Sequence, residues 1–348
     1  MTMMKKRHIL HWAMGVIMTP LLGSCTSDDV AGGAGREEYD IISGQPMTVT
    51  SATRATDGST PSTQFEANEV VWLWAIKENT STEHIIAWKL KANGSGGFSS
   101  FTDGADKYWP SNGSHLNVYA LHGNFTNSPS ILEGTTPWLN LSLTHTVETD
   151  QSSDVKKRLS DLLYSHPTTA FAPNNTVQLA FDHLLAKITV KLDLTNSKGI
   201  NEGELANAEV KLTNILPDAT ISNTLLTGNS GKTSTTGTRT TIISGKIPSS
   251  IISGNVIGSA IVPLQDFGGG KSPSSDDNVI TITLASPDSR SFSYKPTNPV
   301  ALTAGNEYIY TLKIINGELS VSSISVSDFT NETTQNKSWD IYVEPFGS

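Results

Sequence analysis

Residues 65–326 read as a succession of short apolar runs, each closed within a few residues by Gly, Pro, Asn or Asp. Val70-Val71-Trp72-Leu73-Trp74-Ala75-Ile76 and Leu116-Asn117-Val118-Tyr119-Ala120-Leu121 are the clearest, with 85–90 placed as a hairpin partner of the first. Asn93-Gly94 and Gly96-Gly97 mark a turn after it. Further runs fall at 160–165, 209–216, 242–247, 255–262, 279–284, 291–294, 307–315 and 318–326. Such runs are too short for stable amphipathic helices but match strands, and many short strands separated by turn signals predict an all-β chain of sandwich type. The strongest pattern runs over 178–194, where Val190, Leu192 and Leu194 share one face and Lys191 and Asp193 the other. Only 155–163 has the makings of a short helix. The composition agrees: 42 Ser and 41 Thr stand among 348 residues. Thr suits a pleated surface, while Ser, with 28 Gly and 16 Pro, supplies turns. At roughly 150 residues per domain the length suggests two domains, and the Pro- and Asn-rich stretch 167–175 is the expected division.

The first residues set the chain's destination. Lys5, Lys6 and Arg7 precede a largely apolar stretch, 9–22, of the length of a signal-peptide core and too short to span a bilayer. It runs into Leu22-Gly23-Ser24-Cys25, and Cys25 is the sole cysteine of the chain. The arrangement looks like a bacterial lipobox, so residues 1–24 are expected to be a lipoprotein signal and Cys25 the lipidated residue. Several acyl chains on one terminus would anchor the chain stably to the outer membrane. Thr26-Ser27-Asp28-Asp29 resembles the acidic tag that directs some lipoproteins to the outer surface. One cysteine excludes a disulfide framework and a thiolate zinc site. The net charge of −9 argues against a nucleic-acid partner, which would demand a clustered basic surface.

Tests for chemistry find nothing that calls for a catalytic residue, cofactor or metal. Gly231-Lys232-Thr233 ends like a phosphate-binding loop, but Leu226 occupies the position where that loop needs Gly. The eight His show no metal-binding spacing, and there is no G-x-S-x-G elbow. His183 is read as a packed or rim histidine on a strand. The tryptophans at 72, 74, 88, 109, 138 and 339 are read chiefly as core. No enzyme is expected.

The two ends of the secreted chain are distinctive. After a linker at 26–38, residues 40–50 read as one strand or two short ones, interrupted by Gly44 and Pro46, and a polar stretch follows at 51–63. Beyond Phe329 and a polar segment, 338–346 form a well-patterned strand with Trp339, Ile341 and Val343 on one face. Behind a polar tether, such a strand can add to its own sheet or to a neighbour's.

These features together resemble the fimbrillin-like lipoproteins, the building blocks of type V pili (the Mfa-like and FimA-like proteins). The closest matches are Asp161-Leu162-Leu163-Tyr164-Ser165, then Leu179-Ala180-Phe181-Asp182-His183-Leu184-Leu185-Ala186-Lys187-Ile188-Thr189-Val190, and Leu302-Thr303-Ala304-Gly305-Asn306-Glu307-Tyr308-Ile309-Tyr310-Thr311-Leu312. Phe329 stands where the family has Trp. The resemblance implies two transthyretin-like β-sandwich domains in tandem, here 55–172 and 173–348, after a leader at 25–54. It implies partners as well: an Arg-specific protease that removes the leader, cutting at Arg54 or, as second choice, Arg36, and other fimbrial subunits. By the same resemblance, Trp339, Ile341 and Val343 belong to a donor strand that replaces the leader strand in a neighbour. The alternative is a monomeric surface lipoprotein or tip adhesin that binds a glycan or host protein.

Overall fold

The computed structural model describes residues 45–53, 65–79, 85–130, 142–166, 169–222, 233–269 and 277–329. Among the described residues the chain is all-β apart from one short α-helix and one turn of 3-10 helix. Its first strands are β1 (Val49–Thr53), β2 (Val70–Lys77), β3 (Ile86–Ala92), β4 (Phe98–Ser100), β5 (Leu116–His122) and β6 (Ser142–Thr146). Helix α1 (Asp154–Ser160) precedes β7 (Leu163–Ser165), β8 (Val177–Ala180), β9 (Asp182–His183) and β10 (Ala186–Leu192). Then come β11 (Glu209–Ile215), β12 (Asp218–Ser222), β13 (Ser234–Thr236), β14 (Thr240–Lys246), β15 (Val256–Val262) and β16 (Asp266–Phe267). The last are β17 (Val279–Thr283), β18 (Ser291–Tyr294), β19 (Val300–Ala301), β20 (Asn306–Ile315) and β21 (Glu318–Asp328).

A six-stranded sheet in the order β4-β3-β2-β5-β7-β9 forms a wall between two cores. Strand β2 shows why its sequence is apolar without alternation: both of its faces are covered. Val71, Leu73 and Ala75 point into a smaller core shared with Met47, Val49, Phe65, Val177 and Leu179. Trp72, Trp74 and Ile76 point the other way, into a larger core that continues through the second half of the chain. That half is built on two four-stranded sheets, β15-β10-β20-β21 and β14-β11-β17-β18. Trp72, Trp74, Trp88 and Trp109 are all buried, as core tryptophans should be.

Pairings cross the expected division at residue 172. Strands β8 and β9 pair with β1 and β7 of the first half, and β6 pairs with β12 of the second. The 178–194 pattern, read from sequence as one segment, is broken into β8, β9 and β10, each in a different sheet.

Two local devices hold the second half in register. The hairpin β20–β21 turns on Asn316 and Gly317, both with positive φ, the conformation that Asn-Gly adopts most readily in two-residue hairpins. At Gly245 of β14, a Cβ would collide with the carbonyl oxygen of Ile257, so the backbones of β14 and β15 approach as closely as they do because the residue is Gly. Strand β15 is an outer strand of its sheet, and the fully buried Gln151 caps its edge. Ile261 N–H donates to Gln151 Oε1 (2.8 Å) and Gln151 Nε2 donates to Ile261 O (2.9 Å), so the side-chain amide imitates a neighbouring strand.

On β6, His145 is fully buried and ties three elements together. Its Nδ1 accepts from Asn124 N–H (2.9 Å), so Nε2 carries the hydrogen that reaches Ser160 O at the end of α1 (2.9 Å). Burial pushes its pKa down to about 4, because a charged imidazole there would lose its hydration.

Candidate functional site

The first site of interest is the seat of β1. Its register with β8 is parallel: Val49 opposite Val177, Thr50 opposite Gln178, Ser51 opposite Leu179, with a bulge before Thr53 pairs with Ala180. Val177 N–H also donates to Thr48 O (2.8 Å). On the other side, Ser51 N–H donates to Gly96 O (2.9 Å), Met47 N–H to Lys107 O (2.8 Å), and Trp109 N–H to Gln45 O (3.1 Å). The segment is thus stitched from both flanks, and its inward side chains, Met47 and Val49, are 5% and 1% exposed. Among the described residues β8 pairs with no strand except β1. Taking β1 away would leave Val177 and Leu179, now fully covered, facing an open groove lined by backbone groups without partners.

Of the expected strand at 40–50, residues 40–44 lie outside the described residues; in the remainder, β1 occupies Val49–Thr53 and so reaches into the stretch 51–63 that sequence alone marks as polar. The sign of it was the alternation Met47, Val49, Ser51, which continues through the hydroxyl residues between.

The second site surrounds Phe329, the last of the described residues. Phe329 stacks flat on the His183 ring, with centroids 3.6 Å apart and planes inclined by 12°. His183 Nδ1 lies 2.8 Å from Asp161 Oδ1, both side chains being almost wholly buried. On the ring's other neighbourhood, Lys187 Nζ lies 5.4 Å from the Phe329 centroid and 3.2 Å from Glu307 Oε1. Thr189 Oγ1 donates to the same Glu307 oxygen (2.5 Å). Backbone bonds from Phe329 N–H to Gly305 O and from Gly305 N–H to Leu185 O complete the anchorage. Asp161, His183, Lys187, Gly305 and Glu307 come from three sequence motifs far apart in the chain, and they converge around one aromatic ring. The stack needs a flat side chain at 329, which Phe supplies.

A family model of fimbrillin-like proteins matches residues 53–328. The chain belongs to the fimbrillin-like family. Two solved structures show the same fold. One, from a candidate cell adhesion protein of Bacteroides ovatus, is 15% identical, covers 83% of this chain and 99% of its own, and superposes with a TM-score of 0.60. The other, from a candidate cell adhesion protein of Bacteroides uniformis, is 18% identical, covers 82% and 97%, and gives a TM-score of 0.54. Comparison with curated proteins yields no match. The three segments that carried the resemblance in sequence lie within the matched range and meet beside Phe329.

Of the residues singled out from sequence, Cys25, Arg36, Arg54, Trp339, Ile341 and Val343 lie outside the described residues. His183, read as packed, is packed, but its pairing with Asp161 and its stack on Phe329 were invisible in the sequence, because nothing local links positions 161, 183 and 329.

Proposed function

We propose that the chain is a structural subunit of a cell-surface fimbria, exported as a lipoprotein through Cys25, and assembled by strand exchange after its leader is removed at Arg54. The observation that carries this reading is the seat of β1. A five-residue strand, ending one residue before Arg54, fills an otherwise open groove and is the partner that completes β8. Cleavage after Arg54 would free this strand from the body without cutting any other strand described here. The vacated groove would then accept residues 338–346 of a neighbouring copy, placing Trp339, Ile341 and Val343 where Met47, Val49 and Ser51 had been. An added strand satisfies unpaired backbone groups and covers apolar side chains at once. A nine-residue strand extends roughly 30 Å, and its buried side chains contribute about 1.5–3 kcal/mol each. The contact is head-to-tail, so it propagates as a filament instead of closing.

The test is to treat the chain from residue 26 onward with an Arg-specific protease, and to follow it by N-terminal sequencing and electron microscopy. A new terminus at Ala55 accompanied by filaments is the expected result. Equal assembly by a chain lacking 338–346 would sink the strand-exchange scheme.

A second reading, a surface or tip adhesin, is favoured by Phe101 and Tyr108, large aromatic residues that are 44% and 42% exposed in the first half. Clean cleavage without filaments, together with glycan binding lost in Phe101→Ala, would move the assignment there.

A further inference from the structure

The strand that fills the groove is a flawed one. Residues 47, 49 and 51 alternate on its inward side: Met47 and Val49 are buried, and the hydroxyl oxygen of Ser51 is buried too, with no hydrogen-bond partner among the described residues. Its register neighbour on β8 is Leu179, and the ladder becomes irregular directly after it, between Ser51 and Thr53. A hydroxyl cut off from solvent without a hydrogen-bond partner gives up its water and gains nothing in return. The parallel ladder with β8 is short, so no long run of regular bonds offsets the defect.

Resting on the strand-exchange reading above, we infer that Ser51 is the residue that makes the leader strand replaceable. It leaves β1 bound more weakly than the segment that follows it into the groove. Trp339, Ile341 and Val343 repeat the same spacing of alternate residues, and all three are apolar. Whichever direction that strand takes, the place beside Leu179 receives an apolar side chain and no orphan hydroxyl is buried. Exchange is thereby downhill without any energy source beyond the difference between the two strands, and cleavage at Arg54 only removes the covalent tie that had kept the weaker strand in place.

The experiment uses the chain without residues 1–24, unaltered and as Ser51→Ala and Ser51→Val. Ser51→Val fills the position, and Ser51→Ala removes the hydroxyl without demanding extra room. After cleavage by an Arg-specific protease, native mass spectrometry follows how long the leader peptide stays bound, and the cleavage rate is read separately. Both variants should release the leader about tenfold more slowly than the unaltered chain, the factor that about 1.4 kcal/mol produces. Cleavage should be unchanged and filament growth slowed in proportion. If the unaltered chain releases its leader and forms filaments while both variants do so at the same rate, the role of Ser51 is overturned and strand exchange stands. If the unaltered chain never releases its leader, strand exchange itself falls, and this inference with it.

Discussion

The first and last strands of the described body are held by opposite means. Strand β1 has five residues, a parallel partner of four, and a bulge, and it reaches that partner across a long stretch of intervening chain. Strand β21 has eleven residues and pairs antiparallel with the ten of β20. The one bulge of this pair, between Thr311 and Leu312, is flanked by regular ladder on both sides, and the pair is closed by the Asn316-Gly317 turn. An antiparallel hairpin forms from neighbours and is lost only when the local turn is lost. A parallel pair needs a long connection, and its ladder is somewhat weaker per residue. On the strand-exchange proposal, the difference separates a strand fit to be exchanged from one that is not. It also predicts that damage to the two regions will be felt differently.

The largest effect should come from the second region. Leu312 is fully buried in the middle of β20, and Leu312→Ala should lower global stability by about 3–4 kcal/mol in urea unfolding. A cost no greater than that of a β1 substitution would break the comparison. Acid attacks the larger core next. His145 has a folded pKa of about 4 against an ordinary value of 6.5, so between these the unfolded chain binds more protons than the folded one. Stability is therefore full above about pH 6.5 and should fall by up to about 3 kcal/mol as the pH drops to 4. His145→Gln should flatten that slope, which unfolding curves at several pH values would reveal.

In β1 the expected effect is smaller and local. Val49→Ala should cost about 2 kcal/mol, seen as faster amide exchange at Ser51 and Val177 with the amides of β20 unchanged. Uniform acceleration over the whole chain would mean that β1 is part of the same cooperative unit as the rest. Smallest is Phe329→Leu, which keeps an apolar side chain but loses the stack on His183, at about 1 kcal/mol by thermal unfolding.

Much of the strand framework could be read from the chain alone, because local alternation and turn residues report it directly. Strands β2, β3, β5, β11, β14, β15, β17, β18, β20 and β21 fall within two residues of the expected runs, and α1 begins one residue before the expected helical stretch. The misses share a cause. Strands β6 and β12 carry few large apolar residues and owe their place to each other across the two halves of the chain. The break of 178–194 into three strands follows from partners in three sheets, which no local period encodes. For the same reason the seat of β1 was legible only as an inward alternation and not as a partner, since a parallel pairing leaves no turn to announce it. The cluster around Phe329 was legible motif by motif, but not as one place.

The buried amide of Gln151 bears on how such a chain stays a single molecule until it is meant to join others. An outer strand with bare backbone groups recruits any extended peptide that drifts past, and a secreted chain rich in Thr, Val and Ile meets many. By occupying both hydrogen-bonding groups of Ile261, Gln151 makes that point of β15 deaf to passing strands. Selectivity in a β-rich protein is then set in part by the edges it closes.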